Sequence, residues 1–322
     1  MPLRLSSLLA LPALVLVLVG CGSDEAKGAG KRTIGFAQIG AESAWRTAET
    51  TSVQDEAVKR GVNLKFADAQ QKQENQIKAM RAFIAQQVDG IVLAPVVETG
   101  WEPVLREAKA ANIPVVLVDR GVKVDDDSLY YTLVASDFVE EGRLAATWLA
   151  KKLDGKGTIV ELQGTVGAAP AIDRKKGFEE VLAHSPDLRI IKSQSGDFTR
   201  TKGKEVMEAF IKAAKGENFK IDAVYAHNDD MALGAIQAIE EAGLKPGTDI
   251  VVISIDGVKG AFEALVAGTL NLTVECNPLL GPAAFDALDN ALAGKTSPKK
   301  TIQVDRAFDQ DAAKAALADR RY

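Results

Sequence analysis

From Thr33 onward the chain alternates between short unbroken apolar runs and stretches whose apolar positions recur every three or four residues. The first kind predicts strands buried on both faces, as in a parallel sheet, and the second predicts helices with one apolar stripe. Strands are expected at 33–39, 63–67, 90–95, 113–118 and 131–135. Helices are expected between them: 43–60, closed at Gly61, then one with Ile77, Met80, Ile84 and Val88 on a single face, then 101–111. The pattern then restarts. A helix carrying Leu144, Trp148 and Leu149 leads to a strand at 158–162, a helix at 171–184 and a strand at 188–192. Helices bearing Val206, Phe210 and Ala214, and then Met231, Ala235 and Ile239, flank a strand at 223–226; another strand is expected at 250–255. The tail predicts a strand near 270–275, a helix near 282–292 and an extended segment near 301–304. Strand–helix alternation gives a doubly wound parallel sheet, and its restart gives two similar α/β lobes. No glycine- or serine-rich linker separates them, so extended crossovers are expected at the joints.

In open α/β sheets ligands sit beyond the carboxyl ends of the strands, so the residues just past those ends carry the chemical signal. The run Val115-Val116-Leu117-Val118 stops at Asp119-Arg120. One offers only acceptors and the other only donors, in planar groups that can each grip two neighbouring hydroxyls. Strand one is followed by Trp45 and Arg46; an indole there offers a flat apolar surface with a single donor. The second half supplies Arg174, Asn228 and Asp256 at matching places, with Gly257 permitting a tight turn. Taken singly, Asp119 or Asn228 also suits a helix cap. Together, polar groups of complementary type at several strand ends, drawn from both halves, favour a shared ligand cleft.

Composition narrows the choice. The 322 residues are 47% hydrophobic and 26% charged, which fits a globular chain of about two domains. A net charge of −5 without a basic, aromatic-interleaved patch argues against nucleic acid as a partner. No G-x-G-x-x-G follows strand one, and neither a Walker loop nor a G-x-S-x-G elbow is present, so dinucleotide, nucleotide and serine-hydrolase chemistry lack their signatures. The run Asp125-Asp126-Asp127 lacks the spacing of a calcium loop; no metal and no cofactor is expected. An enzyme acting on a sugar, with Asp119 and Asp256 as its carboxylate pair, is the catalytic alternative.

The N-terminus adds a location. Arg4 precedes an apolar run at 8–19 broken by Pro12, which predicts a secretory signal over 1–20. The sequence Leu18-Val19-Gly20-Cys21 resembles a bacterial lipobox, so Cys21 is the expected lipidation site and 21–31 a small-residue tether. The chain is thus expected to be exported and anchored to a membrane surface by acyl chains. Removing Arg4 with the signal leaves 38 basic and 44 acidic residues, a mature charge of −6. With Cys21 lipidated, Cys276 has no disulfide partner and is expected to be a small buried hydrophobe.

Several stretches carry a family likeness: Glu42-Ser-Ala-Trp-Arg46, Gln70-Gln-Lys-Gln-Glu-Asn-Gln76, Ala94-Pro-Val-Val-Glu-Thr-Gly-Trp-Glu-Pro103 and Glu161-Leu-Gln-Gly-Thr-Val-Gly167. Further ones are Ala171-Ile-Asp-Arg-Lys-Lys-Gly-Phe178, Ser193-Gln-Ser-Gly-Asp-Phe-Thr-Arg200 and Ala226-His-Asn-Asp-Asp-Met231. On these the chain resembles the ribose-type periplasmic sugar-binding proteins that feed ABC importers, its galactofuranose-binding members in particular. The resemblance implies a type I periplasmic binding protein fold, with two lobes joined by three crossovers and each lobe borrowing a segment from beyond the other. Lobe 1 would be 32–136 plus about 277–301, and lobe 2 would be 137–276 plus about 302–322. It further implies a monomeric, non-enzymatic protein that captures a monosaccharide, galactofuranose or a related sugar, by lobe closure and delivers it to an ABC permease. The implied ligand groups are Glu42, Ser43, Trp45, Arg46, Asp119, Arg120, Arg174, Asn228 and Asp256, with Gln38 and Asp137 as weaker candidates. Delivery to a receptor or chemoreceptor would use the same binding chemistry. Three arginines also leave room for an acidic sugar.

Overall fold

The computed structural model describes residues 31–322, so the expected signal segment, Cys21 and the start of the tether lie outside the described residues. The first half runs β1 (Thr33–Gln38), α1 (Ala44–Lys59), β2 (Asn63–Asp68), α2 (Gln73–Ala85), β3 (Gly90–Leu93), α3 (Glu102–Ala110), β4 (Val115–Val118) and β5 (Thr132–Ala135). The second runs α4 (Phe138–Lys152), β6 (Lys156–Gln163), α5 (Ala169–Leu182), β7 (Asp187–Ser195), α6 (Arg200–Glu217), β8 (Ala223–Ala226), α7 (Asp229–Glu241), β9 (Val251–Asp256), α8 (Lys259–Ala267) and β10 (Leu272–Glu275). The tail contributes α9 (Gly281–Leu292), β11 (Lys300–Ile302), β12 (Ala307–Asp309) and α10 (Gln310–Ala316).

Two six-stranded sheets result, in the orders β11-β5-β4-β3-β1-β2 and β12-β10-β9-β8-β6-β7. Without the strand added by the tail, the two orders are the same, with each half's first strand lying inside its second. All pairs are parallel except β10 with β12. Burial explains the composition of the strands. The central β4 and β8 are apolar and buried throughout, whereas the edge strands β2 and β7 alternate with exposed charged and polar residues. Charges on an edge also discourage pairing with another chain.

The chain passes between the sheets three times, at residues 136–137, 276–280 and 303–306, and the passages lie side by side. The Gln303 amide donates to the Ala135 carbonyl at 2.9 Å and the Glu275 amide to the Arg306 carbonyl at 2.7 Å. The Cys276 thiol faces the Ser136 hydroxyl at 3.6 Å. Glycines set the helix crossings behind the second sheet. A Cβ on Gly142 would stand 2.2 Å from the Arg174 carbonyl oxygen and one on Gly177 would stand 1.9 Å from that of Val139, so α4 and α5 touch backbone to backbone.

Three elements were not in the expected pattern: α8, β12 and α10. The first was readable, since Phe262 and Leu265 are buried at a spacing of three. The other two carry almost no period, because β12 buries only Phe308 and α10 only Ala313. The helix expected at 171–184 begins earlier, at Ala169, because Pro170 fits its first turn.

Candidate functional site

The carboxyl ends of β1, β4, β6, β8 and β9 converge on one cavity, and the loops beyond them carry its lining. All nine residues expected from the sequence border it, joined by Pro170, Phe198 and Cys276. Trp45, Arg46, Asp119, Arg120, Arg174, Asn228 and Asp256 are each no more than 4% exposed. Gln38 and Asp137 lie off the cavity. The Gln38 side chain points inward to Glu49 and Thr50, and the Asp137 carboxylate caps α4 by accepting from the Glu140 amide.

On the side of the first sheet, Ser43 caps α1, its hydroxyl accepting the Arg46 amide at 3.1 Å. That fixes the first turn, in which Trp45 and Arg46 face the cleft. The Trp45 indole donates to the Cys276 carbonyl at 2.5 Å, tying the platform to a crossover. The Arg46 guanidinium donates to Glu42 at 3.0 Å, to Asp119 at 2.6 Å and to Glu49. Burial alone would disfavour its charge, but Glu49, Asp119 and Glu42 outweigh that and hold its pKa well above the ordinary arginine value. Asp119 sits at φ +61°, a left-handed conformation that Asp tolerates better than most residues, and this turns its carboxylate across the strand end. Arg120 donates to the Val96 carbonyl at 2.9 Å. Burial, together with repulsion from Arg46, pushes Arg120 down to about 10.

On the side of the second sheet, Arg174 donates to Glu141 at 2.7 Å and to the His227 carbonyl at 2.6 Å, and reaches Asp256 at 3.6 Å. Its pKa too ends above the ordinary value, because Glu141 and Asp256 overcome the effect of burial. Asn228 is both a helix cap and a lining residue. Its oxygen accepts the Met231 amide at 3.0 Å while its NH2 donates to the Phe198 carbonyl at 3.1 Å. Phe198 was missed in the sequence. It is reached by two consecutive left-handed residues, Asp197 and Phe198, and its ring covers Gly164, where a Cβ would stand 1.9 Å away. The signal available was a glycine just past the end of β6, where the absence of a Cβ admits a neighbouring ring.

Contacts also bridge the two sides. The Ala44 amide at the start of α1 donates to Asp230 at 2.7 Å, and the Glu98 amide donates to the Gly167 carbonyl at 3.0 Å. The Arg120 guanidinium lies over the Phe198 ring, 5.1 Å from its centre. With the side chains so engaged, the cavity measures about 20 Å³, room for about one water. A larger polar ligand must therefore take partners from these side chains as it enters. Two lining groups already lack one, since Glu42 Oε2 and Arg120 Nε are buried without a hydrogen bond. Such atoms are costly to leave unmet. The lining acids and bases are equal in number, three carboxyl groups (Glu42, Asp119, Asp256) against three guanidiniums, and burial pushes Asp256 well above the ordinary carboxylate value. Among the described residues no cluster of three or more His, Cys, Asp or Glu side chains is arranged to hold a metal ion.

Comparison with known proteins accords with this geometry. The periplasmic binding protein domain matches residues 34–296. Galactofuranose-binding protein YtfQ of Escherichia coli strain K12 is 56% identical over 292 residues, covering 90% of this chain and 91% of that protein. Ribose import binding protein RbsB of Bacillus subtilis strain 168 is 37% identical over 251 residues, 78% of each chain. The binding protein of the arabinose ABC transporter from Shewanella sp. ANA-3, solved with α- and β-L-arabinofuranose, superposes with a TM-score of 0.87 at 57% identity, over 90% of this chain and 95% of that one. The chain belongs to the periplasmic binding proteins, within their ribose-type sugar-binding group.

Proposed function

We propose that this protein captures a neutral monosaccharide, galactofuranose or a related sugar such as arabinofuranose, between two closing lobes and delivers it to an ABC importer. The observation that carries this reading is a cavity between the strand ends of both sheets, lined by three guanidiniums, three carboxylates that pair with them, and an indole. Sugar hydroxyls both donate and accept, so each can replace one half of a guanidinium–carboxylate contact without leaving a buried charge unmet. The C–H face of the ring would lie against Trp45, with Phe198 opposite. The ligand set is the nine lining residues named from the sequence, Glu42 and Ser43 included.

The equal count of lining acids and bases favours a neutral sugar over an acidic one, because each guanidinium already faces a carboxylate. Catalysis is disfavoured by the same pairing, since Asp119 and Asp256 are both engaged by arginines. Closure follows from where the ligand groups come from. A sugar touching both sides stabilises the state in which they are close, and only such differential affinity shifts the equilibrium. Residues 32–136 with 277–301, and 137–276 with 302–322, would be the two moving bodies, hinged at the three crossovers. The protein would act as a monomer tethered at the membrane surface through Cys21. Calorimetric titration with L-arabinose and D-galactose, both of which supply furanose forms in solution, tests the reading. Saturable one-site binding is expected, and absence of heat with both sugars would overturn it.

A further inference from the structure

Behind each half of the cavity stands a buried acid that touches no lining space but grips a lining arginine. Glu49, three residues along α1 from Arg46, is fully buried, and its Oε2 takes a guanidinium N–H of Arg46 together with the Gln38 amide at 3.0 Å. Glu141, on α4, is also fully buried and accepts from Arg174 Nε at 2.7 Å. In both, the remaining oxygen, Oε1, has no hydrogen-bond partner. Burying an acid with half of its accepting capacity unused is unfavourable, and the side-chain oxygen of a neutral Gln could accept the same N–H groups more cheaply. The repetition is therefore unexplained by packing. The two acids do have one property in common: each adds a negative charge directly behind a guanidinium that faces the ligand.

We infer that Glu49 and Glu141 are positioning residues which aim Arg46 and Arg174 into the cavity and, by cancelling their charge, set the preference for a neutral over an anionic sugar. The inference rests on the proposed sugar-binding reading and extends it to what the site rejects. Without the backing acids, three guanidiniums would face three lining carboxylates, and a ligand carboxylate could displace one of those. Above about pH 7, where both backing acids are ionised, Glu42, Asp119, Glu49 and Glu141 outnumber the three guanidiniums even without Asp256, whose charge burial disfavours, and an anionic ligand meets excess negative charge at close range. A unit charge about 10–12 Å away, at an effective dielectric constant of about 20, changes affinity by about tenfold or somewhat more.

The test compares L-arabinose with D-galacturonate by calorimetry at pH 8.5, where both acids are ionised, on the full chain, on Glu49→Gln, Glu141→Gln and the double variant, and on Glu49→Asp. The unaltered protein is expected to bind L-arabinose and to reject galacturonate. Each Gln variant should narrow the neutral-to-acidic ratio by about tenfold, and the double variant by more. Glu49→Asp keeps the charge, so it should weaken both sugars together and leave the ratio in place. Melting curves of the ligand-free variants show whether each is folded; should a Gln variant not fold, Glu49→Asp and the other single variant still decide the matter. Equal losses for both sugars in the Gln variants, or an unchanged ratio, would overturn the inference while leaving the sugar-binding reading intact. Failure of the unaltered protein to bind any neutral sugar would overturn both.

Discussion

The two halves of the cavity hold their arginines in different ways. In the half built on the first sheet, Arg46 is ringed by three carboxylates, Glu42, Glu49 and Asp119, all from the same side of the cleft. In the half built on the second, Arg174 has one short carboxylate contact, one backbone carbonyl and a longer reach to Asp256. The first half also contributes six of the nine expected ligand groups, the indole among them. It forms a preassembled platform, and the two lining atoms left without a partner, Glu42 Oε2 and Arg120 Nε, also lie in it. On the proposed reading the sugar would settle first on this half, gaining contacts there, and the second half would close over it.

The sharpest way to break this comparison is to cut the platform. Asp119→Ala leaves Arg46 beside one partner fewer and removes an acid from next to Arg120. Truncating one partner of a buried, hydrogen-bonded charge pair at a binding site costs about 2–5 kcal/mol of binding free energy, so affinity for L-arabinose should fall about a hundredfold or more by calorimetry. An unaltered affinity would show that the platform is not where the sugar rests.

Proton linkage tests what the halves share. Burial pushes both Glu49 and Glu141 up to about 7, although Arg46 and Arg174 pull the other way. In the unfolded chain a Glu titrates near 4.3, so the folded state holds the extra protons between those limits. Stability from these two groups is therefore present at low pH and lost as pH rises through about 7. The melting temperature of the ligand-free protein should rise as pH falls from 8 to 5, by a few degrees for a few kcal/mol in a chain of this size. Glu161 opposes this at the acid end. Burial would raise it, but hydrogen bonds from His227, Lys175 and Ser193 hold it far below the carboxylate range, so its contribution is lost once the pH drops below that of an ordinary Glu. Replacing both Glu49 and Glu141 by Gln should flatten the upper part of the profile, and a profile unchanged by the double substitution would refute the assignment.

Trp45→Ala removes the stacking surface and the tie to the Cys276 carbonyl. Loss of one aromatic face and one hydrogen bond is worth about 1.5–3 kcal/mol. Tenfold to hundredfold weaker binding is expected in the same titration, with far-UV circular dichroism unchanged. The smallest effect is expected at the seam. Asp230 accepts the Ala44 amide across the cleft, at the positive end of α1, and also holds Arg200 at 3.0 Å. Asp230→Asn weakens a charge–helix contact worth about 0.3–1 kcal/mol. Stopped-flow dissociation should speed up a few-fold while association stays the same. A change confined to association would mean that the contact forms before closure.

Much of this site was legible because its chemistry sits where an α/β fold exposes it. Val115 to Val118 is unmistakably a central strand, and the abrupt Asp119-Arg120 after it has only the cleft to face. The same reasoning found Arg174, Asn228 and Asp256, and the family likeness added Glu42 and Ser43. The likeness also gave Gln38 and Asp137 as weaker candidates, and neither borders the cavity, because their side chains turn to Glu49 and Thr50 and to the Glu140 amide. Position was readable there and rotamer was not. Glu49 and Glu141 were invisible for another reason. Each is an acid within a helix full of charged residues, and only packing against α5 or the strand end of β1 shows that it is buried. Phe198 needed two left-handed residues in succession, which neither hydrophobic period nor charge can announce.

The central claim is that one ligand needs both halves at once. Calorimetric titration of L-arabinose into the unaltered protein, into Arg120→Ala and into Arg174→Ala tests it most directly. One saturable site is expected, lost or weakened at least a hundredfold in each variant, although the two arginines come from different sheets. Full affinity retained in either variant would contradict it.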